Sequence, residues 1–227
     1  MRLHFHYCLQ GFSNCYLLGT DPPPEEAASS GETAPLYDSA SHGEASFGKE
    51  AILIDPGIMD SNLLSLIEEN QFLLRGVLIT HDHPHHVRGL RTIFKIYNTK
   101  IFAMNPVIGE HHTTLVRDGD VINIGPFRTE VFSVPGHSAD SLIFKIDRLL
   151  FTGDALSAGL TGSTSSSYAA ANQISALRRK ILSLPGDYTI LPGHGPPSSL
   201  EAERHFNLDI NSFEQQRARR PAFRFEF

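Results

Sequence analysis

Residues 80–89 read THDHPHHVRG and place four of the chain's twelve histidines within six positions. Neighbouring imidazoles disfavour one another's protonation near neutral pH, and the neutral imidazole is the commonest protein ligand for a transition metal, so a cluster this dense points to a shared metal. Three further segments add one candidate each: PGHSADS with His137, LLFTGDAL with Asp154, and LPGHGP with His194. A lone His after a strand is ordinarily a hydrogen-bonded surface residue, and a lone Asp in TGD is ordinarily a turn residue. Taken with the cluster they read differently, because the small residues beside each would let several backbones approach one centre.

These residues need a scaffold that ends strands at one place. Period-two alternation over residues 3–7, continued by NCYLLG, predicts two opening strands. AILIDPG reads as a buried strand, after which Asp60 or Ser61 can cap a helix with Leu63, Leu64, Ile67 and Leu74 as its apolar face. GVLITH is the next strand, and the histidine cluster follows its C-terminal end, where layered α/β structures expose their sites. Pro84 suits the first turn of a helix running on through VRGLRTIFKIYN. Short strands follow in KIFAM, DVINIG, FRTEVFSVPG, SLIFKID and RLLFTGD. A helix over residues 168–184 carries Ile174, Leu177, Ile181 and Leu184, DYTILPGHG returns to strand, and the capping-box spacing of Ser198 and Glu201 predicts a last helix to about residue 217.

With these motifs in this order, the chain resembles the metallo-β-lactamase superfamily, in the hydrolase branch that includes glyoxalase II, over residues 3–205 apart from an acidic stretch near the N-terminus. The resemblance implies an α+β fold, a four-layer αββα sandwich, with residues 1–227 forming one domain. It implies that His81, His83 and His137 hold one divalent metal ion, that His86 and His194 help hold a second, that Asp154 bridges the two as the catalytic carboxylate, and that Asp55 of DPG supports the site. The two ions are expected to be zinc, with iron or manganese also suited to such ligands.

One position departs from the family pattern. Where H-x-H-x-D-H has its Asp, this chain has His85. His85 is expected to act as a neutral fourth histidine ligand of the second metal; the other reading swings it away and leaves the site mononuclear or altered. The resemblance further implies hydrolysis of a small ester-like or thioester substrate by a metal-bound hydroxide. Alternatives are a phosphodiesterase or nuclease, an iron-dependent sulfur dioxygenase, and a non-hydrolytic metal-binding or oxygen-sensing protein. Asp154 argues against antibiotic hydrolysis, since true β-lactamases of this fold usually carry Cys there, and His83 in place of Glu argues against the flavodiiron branch. The 33 residues after His194 are expected to be too few for the helical substrate domain of glyoxalase II.

Composition narrows the partners. At 227 residues and 41% hydrophobic content the chain can bury an ordinary core, and a formal charge of −6 offers no overall field for a polyphosphate, so nucleic acid is not an expected partner. A small-molecule substrate is expected instead. No apolar run approaches the roughly 18 residues of a membrane helix and no signal peptide is evident, so no membrane association is expected and the protein is read as cytoplasmic. Cys8 and Cys15 are read as free thiols. Residues 21–48 carry four prolines, six carboxylates and neither Lys nor Arg, which predicts a loop: a tolerated insertion, or a lid using Leu36, Tyr37 and Phe47. The ending QQRARRPAFRFEF, with residues 218–227 as a tail, is either free or an edge strand docking on a second copy to give a homodimer. His4, His6, His111 and His112 are expected at the surface, and Asp82 as a solvated or supporting carboxylate.

Overall fold

The computed structural model describes residues 1–21 and 49–218, without the side chains of 214–218. Most of the acidic stretch, with Leu36, Tyr37 and Phe47, and the C-terminal tail lie outside the described residues.

The chain opens with a hairpin of β1 (Arg2–Cys8) and β2 (Ser13–Gly19), in antiparallel register from Arg2↔Gly19 to Cys8↔Ser13. There follow β3 (Lys49–Ile54), α1 (Ser61–Glu69), β4 (Phe72–Leu78), α2 (Pro84–Val87), α3 (Leu90–Ile96) and β5 (Ile101–Ala103). Two-residue strands β6 (Val107–Ile108), β7 (His111–His112) and β8 (Thr114–Leu115) precede the meander β9 (Val121–Ile124), β10 (Phe127–Ser133), β11 (Leu142–Ile146) and β12 (Leu149–Gly153). A small hairpin, β13 (Leu156–Ser157) and β14 (Leu160–Thr161), leads to α4 (Ser167–Leu177), which loosens into a π-type turn over Arg178–Leu182. The described chain closes with β15 (Thr189–Pro192), β16 (Ser198–Ser199), α5 (Leu200–Phe206) and α6 (Leu208–Ala218).

Two six-stranded sheets result, in the orders β1-β2-β3-β4-β5-β8 and β16-β15-β12-β11-β10-β9. Their facing surfaces meet through Leu18, Ile52, Ile54 and Leu78 on one side and Phe144, Ile146, Phe151 and Leu191 on the other. Outside the first sheet, Leu63 and Ile67 of α1 and Leu90 and Ile93 of α3 cover Leu17, Leu53 and Val77. Outside the second, Leu177, Ile181 and Leu200 cover Ile143, Leu150 and Ile190. This is the expected αββα sandwich, stacked because each sheet has two apolar faces to bury. Among the described residues no helix is long and apolar enough to cross a membrane.

Several local expectations need correction. Asp60 does cap α1, its carboxylate accepting from Leu63 N at 2.9 Å, but Leu74 belongs to β4 and not to the helix face. The helix begun by Pro84 stops after one turn, because the Gly89 N–H turns away to donate to Pro56 O (2.8 Å), and a separate helix starts at Leu90. The last helix is capped by Ser199, whose hydroxyl accepts from Ala202 N, and not by a Ser198–Glu201 pair. It breaks at Asn207, whose side-chain amide donates to the buried Glu203 carboxylate (2.7 Å) and whose side-chain carbonyl accepts from Ile210 N (3.1 Å), starting α6 afresh.

His4 and His6 point inward towards the α1 layer: His4 packs edge-on against Phe72, and His6 Nε2 lies 3.3 Å from Asp60 Oδ2. Their neighbours Leu3, Phe5 and Tyr7 are the exposed ones. β1 is an edge strand, and pairing of Phe5 with Tyr16 puts those apolar side chains at the open margin of the inter-sheet face, where Tyr16 and not they packs on Phe151 of the second sheet. His111 is half-buried, its ring stacked on Phe94 at 4.6 Å, while His112 is exposed as expected.

The DPG turn after β3 sits directly against the start of α2. A Cβ at Gly57 would lie 1.9 Å from His85 O and 2.6 Å from Ser13 Oγ. Gly57→Ala should therefore displace α2 and lower stability by about 1–3 kcal/mol. Chemical denaturation checks this, and an unchanged midpoint would show that the turn relaxes freely.

Candidate metal centre

Five strands end at one edge of the sandwich with their carboxyl termini pointing the same way, and each delivers a polar residue just beyond its last position. β3 gives Asp55, β4 gives His81 and His83 and leads into α2 with His85 and His86, β10 gives His137, β12 gives Asp154 and β15 gives His194. The sequence placed each of these residues after an apolar strand, and the parallel pairings β3–β4 and β12–β15 bring the strand ends together.

Seven of the eight residues converge. His81, His83, His137 and Asp154 can offer one ligand atom each within 4.8 Å of one another, as can His86, Asp154 and His194, and also Asp55, His81 and His86. Asp154 is shared. Its Oδ2 lies 3.7 Å from His81 Nε2, 3.5 Å from His86 Nε2 and 3.5 Å from His137 Nε2, and its Oδ1 lies 2.8 Å from His194 Nδ1. His85 is the exception. It is exposed, its ring stands 6.0 Å from that of His194 and packs on the Gly11 backbone, and it joins none of these groups. The expectation of a fourth histidine ligand at His85 is thus not matched by its placement.

The outer nitrogens explain why the inner ones suit a cation. Thr80 Oγ has one proton and gives it to Asp55 Oδ2 (2.6 Å), so the contact of His81 Nδ1 with Thr80 Oγ (3.0 Å) assigns the ring proton to Nδ1 and leaves a lone pair on Nε2. His137 Nδ1 faces Ser163 O at 2.9 Å, where it can only donate, so its Nε2 lone pair meets His83 Nδ1 at 3.1 Å and Asp154. His194 Nε2 likewise donates to Gly11 O (3.2 Å). His86 Nδ1 approaches Asp55 Oδ2 at 3.2 Å without hydrogen-bond alignment. His81 Nε2 and His86 Nε2 are buried and have no hydrogen-bond partner. Lone pairs aimed at a carboxylate repel it unless a positive charge stands between them, and divalent cations supply that charge where this donor set converges.

The electrostatics divide the rings into two sets. Burial, helped by the neighbouring His86, pushes His81 down to about 4, and burial beside His137 also lowers His83. For His86 burial works towards neutrality, but the close carboxylates of Asp154 and Asp55 overcome it and push the ring up to about 10. Asp154 raises His194 and is itself held well below the usual carboxylate range by His194 and His86, against its own burial. Protons on His86 and His194 balance the two acids wherever no cation does.

Several positioning residues escaped the sequence reading. Asn14 donates to Pro192 O (2.9 Å) and Gly195 O (2.8 Å), fastening β2 to the loop that carries His194. Ser13 Oγ donates to His85 O (2.6 Å) and fixes the start of α2. Asp140 accepts from Asp82 N and Asn105 Nδ2, tying the histidine loop to the His137 loop. Polar residues inside strands or short loops carry no spacing signal that separates these roles from ordinary surface polarity. Gly193 is legible only afterwards: a Cβ there would lie 2.5 Å from Asp154 Oδ1 and 2.6 Å from His86 Cε1, so only glycine lets the strand end come this close. Asp82 is exposed, as expected.

A two-sheet sandwich with a histidine and aspartate cluster at the strand ends defines a class of metal-site proteins. Residues 47–194 match the family model described as Metallo-beta-lactamase superfamily, and the chain belongs to that superfamily. It is 29% identical over 155 residues to an uncharacterized protein of Treponema pallidum (strain Nichols), covering 68% of this chain and 82% of that one. It is 33% identical over 147 residues to a hydroxyacylglutathione hydrolase of Francisella tularensis subsp. tularensis (strain WY96-3418), covering 63% of this chain and 58% of that enzyme's length. The crystal structure of ETHE1 from Myxococcus xanthus superposes with a TM-score of 0.70 at 21% identity, covering 98% of this chain and 93% of that one.

Two outcomes follow from the site. A cation can use His86 only after displacing its proton, so metal affinity should rise with pH through the neutral range and uptake at pH 7 should release protons. Calorimetry in buffers of different ionisation enthalpy measures that release, and none at all would contradict the placement of His86. Asp55→Ala should weaken metal binding about 10–100-fold, because it frees Thr80 and hence the tautomer of His81; an unaltered binding isotherm would remove Asp55 from that role.

Proposed function

We propose that this chain is a metal-dependent hydrolase that cleaves a small thioester or ester. The observation that carries the reading is the convergence of four imidazoles on the Asp154 carboxylate, with outer nitrogens of His81, His137 and His194 committed to acceptors. His81, His83, His137 and Asp154 would hold one cation, and His86, His194 and Asp154 a second, with zinc the first expectation for such donors. When bound, such ions polarise a carbonyl oxygen and make water a nucleophile at neutral pH.

The chain's own groups set what can react there. His81 and His86 are buried while His83, His137 and His194 are partly open, so substrate must approach from the His83 and His194 side. Asp154 fixes the ring orientations and supplies the only carboxylate common to both ligand groups. The β1–β2 turn reaches this mouth through Gly11, whose neighbours Leu9 and Phe12 are 75% and 67% exposed. That apolar tip suits the acyl part of a substrate and not a phosphate chain, in keeping with the net charge of −6. The 33% identity to a hydroxyacylglutathione hydrolase supports thioester chemistry.

The test joins metal analysis of the purified protein to thiol release from a panel of acyl thioesters. Wild type should carry metal and release thiol. His137→Ala should lose metal and at least ~100-fold of the rate, beyond the 10–100-fold that outer partners cost. A metal-loaded protein that releases no thiol, and consumes oxygen with a persulfide instead, would overturn the hydrolase reading.

A further inference from the structure

Behind the metal-site helix lies a second concavity that shares none of the candidate ligands. It has a volume of about 440 Å³ and is lined by Val87, Arg88, Leu90 and Arg91 on one side and by Ile108, Gly109, Glu110 and His111 on the other. That volume lies in the range of small-molecule sites. Leu90 and Ile108, each 1% exposed, close it from beneath, the half-buried Val87 and His111 present apolar surface to it, and the stacking of His111 on Phe94 stiffens one wall.

The charges around it are uncommitted. Among the described residues neither the Arg88 nor the Arg91 guanidinium makes a hydrogen bond or an ion pair, and Glu110 across the cavity does not pair with them. A guanidinium presents its donors in a fixed fork matched to carboxylate and phosphate oxygens, and two unpaired forks at one cavity repel each other until an anion joins them. The sequence makes the same point independently. Between Asp82 and Glu110 this acidic chain carries Arg88, Arg91, Lys95 and Lys100 and no carboxylate. The local run of charge therefore opposes the net charge of −6 beside this cavity.

We propose that this cavity binds a small oxyanion, a carboxylate or a phosphate on a short apolar stem, with Arg88 and Arg91 taking the anion and the half-buried Val87 and His111 flanking the stem. Val87 and Arg88 follow His86 directly, and Gly89 N bonds Pro56 O beside the Asp55 turn, so an anion here would brace α2 from the side opposite the metal centre. The site is thus separate from the catalytic reading and stands or falls without it.

The test follows the Gly109 amide resonance of the purified full-length protein during titration with inorganic phosphate and, separately, butyrate. Gly109 sits at the cavity wall and touches no candidate metal ligand, so phosphate captured at the metal centre would not move it saturably. The expected result is a saturable shift with at least one probe, retained in His137→Ala and weakened at least ~10-fold in Arg91→Ala, the scale of losing a charge-assisted hydrogen bond. Arg88→Ala should weaken it similarly; both side chains are exposed, so both variants should fold. Preference for phosphate or butyrate identifies the source of the anion. No saturable shift with either probe, or an equal shift in the arginine variants, would overturn the site.

Discussion

The Asp154 carboxylate is the constraint to which the rest of the site answers. It is largely buried, and its close partners are four imidazoles, from His81, His86, His137 and His194, with no Lys or Arg among them. A carboxylate withdrawn from water needs compensating charge, and imidazoles supply it only by holding protons or by sharing a cation. Each of the strands β4, β10, β12 and β15 must end within a few ångströms of this group, which fixes how the two sheets register against each other. The bond from Leu142 N to Thr80 O (2.8 Å) ties the sheets at the same level, so the sandwich and the centre share one set of supports.

Asp55 works one layer further out. It takes a positive φ of 51°, an uncommon conformation for a residue with a side chain, and in return its two oxygens reach Thr80 N, Thr80 Oγ and the His86 ring. Local strain at the end of β3 is held in place by three contacts that only the folded sandwich provides. The same turn carries Gly57, which lets α2 begin close enough for His86 to face inward.

Much of this could be read from the chain because each candidate residue stands one to a few positions past an apolar strand, and strand ends are marked by composition. What stayed hidden depended on pairing across long separations. Alternation in residues 3–7 announces a strand but not which phase faces in, and the Phe5↔Tyr16 register decided that against the apolar set. The breaks at Gly89 and Asn207 come from contacts with Pro56 and Glu203, which no local propensity contains. Asn14 and Ser13 look like ordinary strand polarity until the loops they hold arrive from about 180 and 70 residues away.

The placement of His85 makes the two ligand groups unequal. One gathers three imidazoles and Asp154; the other has His86, His194 and the same carboxylate, and the position where the family has an Asp contributes a ring turned towards Gly11. Exchanging a carboxylate for a ring that does not reach removes both a donor and a negative charge, so the second group should hold its cation less tightly than the first. Its remaining donors are also the ones that lean on the β1–β2 turn, through His194 Nε2 to Gly11 O and the His85 ring against Gly11. The weaker half of the centre is therefore the half that rests on that turn, at whose tip Leu9 and Phe12 stand exposed. The first group is fastened instead by Thr80, Asp55 and Ser163, so its supports are separate from that turn.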